Sequence, residues 1–361
     1  MKTTSLLLLG VFIVTFTACS SGKRAFDNSG LYPIFSPDRK WGYIDKSGNV
    51  VIPPQFQHAK SFSDGLACVS VDGAKFGYIN KSGNFVINPQ FDDAKSFSEG
   101  LAVIVINKKI GYIDPTGKVA INPQFDVVNG ERGLSYSFSE GLAAVRTGDK
   151  CGYIDKTGKF AVNPQFKECL PFYGELAPVL IENSWGYIDH TGKVSITPQF
   201  DKAFPFTLGL ALVKVGRKYG YIDQEGKLII NPQFDAATPF SDDGIAGVRV
   251  GDKWGGIDKT GKVVINPQFD GNTLPNDEAD FLGEVILRNL GRIAFSEGLA
   301  SVRVGNKAGY IDKSGNYVIN PQFDFAFPFV GDLAFVMVGG GPHPEVGWID
   351  KTGKFVWKNA S

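Results

Sequence analysis

Short apolar runs alternate with polar turn clusters along nearly the whole chain, and no sustained 3.6-residue period appears. Runs such as Trp41-Gly42-Tyr43-Ile44, Val50-Val51-Ile52 and Leu66-Ala67-Cys68-Val69 are short and β-prone. Gly, Pro, Asn, Asp and Ser bound them, the residues that build tight turns. The pattern predicts short β-strands joined by hairpins, with few helices.

The pattern also repeats. A Gly that follows an apolar slot and opens Gly-Tyr-Ile-Asp recurs at Gly42, Gly77, Gly111, Gly152, Gly186, Gly220, Gly255, Gly309 and Gly347. The spacing is 34 or 35 residues, except for intervals of 41, 54 and 38 in the third, seventh and eighth places. Each recurring residue has a mechanical reason. Asp45-Lys46-Ser47-Gly48 and its equivalents form a hairpin turn, with the Asp accepting backbone N–H bonds. The Gly of the Trp-Gly pair falls mid-strand, where glycine marks a bulge, a close backbone approach or a ring lying over it. The Pro of Pro-Gln-Phe cannot donate to a ladder, so it ends a strand or marks an edge. The Gln is expected to satisfy backbone groups at that break, and the Phe to enter the core.

One unit therefore reads as three short strands plus a bent Phe-x-x-Ala-x-x-x-Phe connection. A meander this small cannot bury its faces alone, so neighbours must stack into one continuous core. The expected fold is all-β, a tandem array of nine three-stranded units. An open superhelical array is favoured over a closed propeller-like ring, because propellers typically have about 4–8 four-stranded blades. Leu31–Phe35, with Pro33 blunting its edge, and Trp357-Lys358-Asn359 are expected to cap the two ends.

Three segments carry a resemblance: Lys40-Trp41-Gly42-Tyr43-Ile44-Asp45, Asn88-Pro89-Gln90-Phe91-Asp92 and Phe97-Ser98-Glu99-Gly100-Leu101-Ala102. The chain resembles the WG-repeat family of bacterial proteins, also written KWG, over residues 31–357. The Trp slot holds Trp at 41, 185 and 254 and Phe76, Ile110, Cys151, Tyr219, Ala308 or Val346 elsewhere. The resemblance implies an extracytoplasmic interaction role rather than a reaction.

The first residues are different in kind. Lys2 precedes the apolar run Leu6–Val14, which is too short to span a bilayer, where about 20 residues are needed. Residues 1–18 read as a signal peptide. Thr17-Ala18-Cys19 resembles a bacterial lipobox, with Phe16 in place of the usual Leu, Val or Ile. Cys19 is then the lipidated mature N-terminus, 19–30 a polar tether, and 31–361 the array. Ser20 rather than Asp follows Cys19, which suits the outer membrane or cell surface of a Gram-negative bacterium.

Composition narrows the function classes. Lys and Arg total 37, as do Asp and Glu, so nothing favours nucleic acid. A residue present in every unit is explained by the fold, so function is sought where units differ. Two insertions stand out, near 127–137 and 271–293. The first brings Arg132 and Tyr136; the second brings Asp277, Glu278, Asp280 and Arg288, and these six are the candidate binding residues. The acidic trio lacks the alternating ligands of a calcium loop. His58, His190 and His343 share no ligand spacing. Cys151 and Cys169 lie in one unit and are either a disulfide or, with Cys68, buried thiols. No catalytic residue, metal or cofactor is expected. The reading is a lipid-anchored envelope scaffold for an unidentified protein or polysaccharide. The alternatives are a passive spacer lipoprotein and a glycan-acting enzyme, which would need a facing pair of carboxylates.

Overall fold

The computed structural model describes residues 30–127, 136–271, 293–339 and 345–359. They form nine small antiparallel sheets that span 31–56, 58–91, 93–126, 143–166, 168–200, 202–234, 236–270, 295–323 and 325–358. No helix occurs among the described residues. Sheet two shows the unit: His58–Ala59, Ala67–Ser70, Phe76–Ile79 and Phe85–Phe91 lie side by side in chain order. Sheets seven and eight also touch through a single bridge, Asp270 to Arg303.

The bent connection contains more than the sequence suggested. In seven units it supplies a short fourth strand, placed first in the sheet; among the described residues sheets one and four have three. The alternation that marks a strand is absent there because such a strand is often two residues long, as at Glu168–Cys169. The Asp turn forms as expected: Asp45 Oδ1 accepts the N–H of Ser47 at 2.8 Å and of Asn49 at 2.9 Å. The mid-strand Gly sits at a register slip, and in eight units what covers it is the backbone of the stretch leading into Pro-Gln-Phe, as at Gly220, whereas at Gly347 the Phe355 ring and Trp357 O cover it. The Gln of Pro-Gln-Phe is not buried; among the described residues Gln90 Nε2 donates to Asn88 O, within its own strand.

Nine cores lie between successive sheets. Between sheets four and five, for example, Tyr153, Val162 and Phe166 meet Phe172 and Val179. The ninth joins the two ends of the chain: Tyr32, Ile34 and Ile44 of sheet one pack on Leu333, Phe335 and Trp348 of sheet nine. Trp348 Nε1 donates to Pro33 O at 2.9 Å, and the Tyr32 hydroxyl donates to Gly331 O. The array is therefore a closed ring, which replaces the open superhelix. The terminal strands do not cap the array against solvent; each covers the other. Closure was disfavoured because nine three-stranded units fit poorly with about four to eight four-stranded blades, and the fourth strand seen in seven sheets removes half of that objection.

The core between sheets four and five also carries a covalent link. Cys151, in the Trp slot of sheet four, is bonded to Cys169 on the first strand of sheet five, with Cα atoms 6.1 Å apart. Cys68 is the free, buried thiol. The bridge closes a loop of 18 residues. By the chain-entropy argument, its loss should lower unfolding stability by about 3 kcal/mol. The comparison is the denaturation midpoint of the native chain against a Cys151→Ala, Cys169→Ala variant, and a disulfide-linked peptide should appear in a non-reducing digest. Two free thiols in that digest would contradict the assignment.

Candidate functional site

The recurring polar residues tie sheet to sheet. In seven units the Tyr of Gly-Tyr-Ile-Asp is buried and donates its hydroxyl to a carbonyl on the incoming first segment of the next sheet. The acceptors are Lys60, Lys95, Tyr136, Leu170, Phe204, Thr238 and Phe327. Burial pushes these phenols up, Tyr78 and Tyr310 among them. The Asp after Pro-Gln-Phe makes a second tie. Asp270 takes Lys253 Nζ at 2.5 Å on one oxygen and the Gly305 N–H of the next sheet at 2.7 Å on the other. The Lys253 bond, then the Gly305 bond, hold this carboxyl below its ordinary range; Asp92, Asp126 and Asp235 repeat the arrangement.

The Phe-Ser-Glu-Gly segment makes a third tie. Ser63, Ser98, Ser139 and Ser296 donate to the carbonyl of the equivalent Phe one sheet on. Glu140 accepts the N–H groups of Gly174 and Glu175 at 2.6 and 2.9 Å, and Glu297 those of Gly331 and Asp332. The tie lapses at sheet six, where Leu208 replaces the acid and the buried Thr207 hydroxyl has no hydrogen-bond partner. These first segments lie at one edge of their sheets and bond directly to one another, so they form one wall of the ring.

One wall position is free to vary. The carbonyl that receives the Tyr hydroxyl is fixed, but its side chain is Lys60, Lys95, Tyr136, Leu170, Phe204, Thr238 or Phe327. Three polar members are consecutive, on the segments that lead into sheets two, three and four. Lys60 Nζ crosses to Ala94 O at 2.5 Å and lies 3.9 Å from Asp93 Oδ1. Lys95 Nζ lies over the Tyr136 ring, 5.3 Å from its centroid. Burial, then the neighbouring Lys60 charge, draws the Lys95 ammonium below its ordinary range. The Asp93 carboxylate beside Lys60 opposes that shift without forming a direct ion pair with Lys95 among the described residues. The remaining wall is mostly apolar, through Leu170, Phe204 and Phe327.

Of the residues singled out from sequence, Tyr136 falls in this cluster. It is buried, at 7% exposure, and accepts the Tyr112 hydroxyl on its carbonyl. Cys19, Arg132, Asp277, Glu278, Asp280 and Arg288 lie outside the described residues. Lys60 and Lys95 were missed, although Ala-Lys-Ser-Phe-Ser occurs in only two units. That difference between copies was the available signal. His58 stacks on Phe76, and His190 stacks on Phe172 with Nε2 3.8 Å from Glu140. No group of three or more metal-ligating side chains occurs among the described residues. A shallow hollow of about 520 Å³ lies beside Gly174, Glu175, Ser195 and Gln224, whose amide donates to Gly174 O where other units place Lys.

Nine radial antiparallel sheets sealed end to end define a closed-ring repeat β-scaffold, a propeller in the architectural sense. Eight stretches match the WG containing repeat model, residues 41–73, 76–109, 110–151, 152–184, 185–219, 219–254, 254–271 and 309–341. They cover more than half of the sequence, and the chain belongs to the WG-repeat family. Among curated proteins, none matches it. Among solved structures, the chain is similar to a eukaryotic initiation factor, at 13% identity and a TM-score of 0.63 over 91% of this chain and 96% of that one. It is also similar to BamB from Moraxella catarrhalis, at 11% identity and a TM-score of 0.41 over 82% and 95%. The first likeness concerns fold alone.

Proposed function

We propose that this protein is an exported, lipid-anchored envelope scaffold that binds a protein or polysaccharide partner and performs no catalysis of its own. The observation that carries the reading is the wall formed by the first segments. Its backbone is pinned by the same Tyr hydroxyl in unit after unit, while the side chain it presents changes from cationic to apolar around the ring. Recognition by a rigid scaffold needs that division between a fixed frame and variable display. The Cys151–Cys169 bond supports an oxidising compartment, where such bonds persist. Cys19, behind the apolar leader, supplies the anchor, because several acyl chains hold far more firmly than one.

Two experiments test the two halves. The mature chain, with and without residues 271–293, is used as bait in envelope extract; a specific partner is expected with the intact chain. Recovery of nothing from either bait leaves the passive spacer as the better account. In cells, Cys19→Ser should move the protein from the membrane to the soluble fraction. Unchanged membrane retention would end the lipid-anchor reading.

A further inference from the structure

We propose that Lys60, Lys95 and Tyr136 form an oxyanion subsite on this wall, one that takes a carboxylate or phosphate group of the ligand. The inference rests on the scaffold reading and specifies the chemistry of one part of its wall. Three observations converge. Lys60 and Lys95 occupy the same wall position on adjacent segments, and Lys60 Nζ reaches across to the carbonyl of Ala94, the residue before Lys95. Lys60 is oriented by a backbone carbonyl, Ala94 O, with its side chain only 23% exposed. Lys95 is held over a buried aromatic ring, and the one carboxylate that acts on it, Asp93, also lies beside Lys60, so two ammonium groups share a single negative charge.

A half-buried ammonium without a counter-ion is costly, and folded chains normally pair it. This ring does pair its lysines elsewhere: Lys75, Lys109, Lys218, Lys253 and Lys307 each meet an Asp within 2.7 Å. Those pairs recur from unit to unit and serve the frame. Lys95 lies outside that recurring pattern, at a position whose side chain changes from unit to unit. A bound oxyanion would supply the missing negative charge and accept charge-assisted hydrogen bonds from both amines. The Asp93 carboxylate lies beside Lys60 and would favour a singly charged group over a more highly charged one.

The test uses the full mature chain and two probes, inorganic phosphate and glucuronate, titrated calorimetrically at low ionic strength and millimolar probe. One or both should bind with saturation, and which one binds separates the phosphate source from the carboxylate source. Lys95→Met should weaken binding about tenfold or more, the equivalent of one charge-assisted contact. Lys95→Arg should retain most of it. Lys259→Met, which removes an exposed lysine on sheet seven, should leave it unchanged. Thermal melts of all three confirm that the ring is intact. Failure of the native chain to bind either probe overturns the proposal, as does an equal loss in Lys95→Met and Lys259→Met. If a Lys60→Met, Lys95→Met bait still captures the envelope partner of the native chain undiminished, the subsite falls while the scaffold reading stands.

Discussion

Trp348→Ala should destabilise the whole ring by about 3–5 kcal/mol, the usual range for deleting a buried Trp. Trp348 takes the slot that holds Tyr in seven other units, and it is fully buried at the junction of the two chain ends. Its ring meets Tyr32 at 5.2 Å and Phe335 at 5.4 Å, and its N–H satisfies Pro33 O. In an open array, a last-unit residue would stabilise only the last unit, and loss would appear as local fraying. In a closed ring, the same residue holds both ends, so the midpoint of global unfolding should fall. Hydrogen exchange distinguishes the two: protection should drop in sheets one and nine together and, as cooperativity weakens, in the others. Fraying confined to 345–359 would count against closure by this residue. The seam also has an acid limit. Bonds from Lys351, then Lys46, hold Asp332 down to about 2, so its contribution is present above the ordinary carboxylate value of 3.8 and is lost as pH falls through about 2.

Much of this frame was legible because each repeat records it again. Six copies of Gly-Tyr-Ile-Asp with three close variants, and eight of Pro-Gln-Phe, established the unit, its turns and its all-β character. Closure was not legible, because it depends on contacts such as Tyr32 to Gly331, 299 residues apart, that leave no periodic trace. The short first strands were hidden for a different reason: two-residue pairings such as Phe325–Ala326 are set by the neighbouring strand, not by alternation. Attention to insertions found Tyr136 but passed over Lys60 and Lys95, which sit inside regular units. The search rule was sound but too coarse: units differ by single side chains as well as by length.

Gly220→Ala should cost about 3 kcal/mol or more, at the upper end of what forced overpacking produces. A Cβ at this position would lie 2.5 Å from Ile230 O and 2.7 Å from Pro232 N. Both are backbone atoms of the last strand of the sheet, so no rotamer change relieves the clash; the strand itself must move. That strand bends over the glycine because its register with the third strand slips between Tyr219 and Tyr221. The matched control is Gly209→Ala. Gly209 has a φ of +82° with open space around it, so alanine there meets only left-handed backbone strain of about 1–2 kcal/mol. Urea midpoints of the two variants should separate clearly, and equal losses would mean that the close approach is not what requires the glycine. The result bears on function too. If Gly220→Ala instead left stability intact and abolished partner capture, the Trp-Gly signature would belong to recognition, and the search for a site should return to the residues that every unit shares.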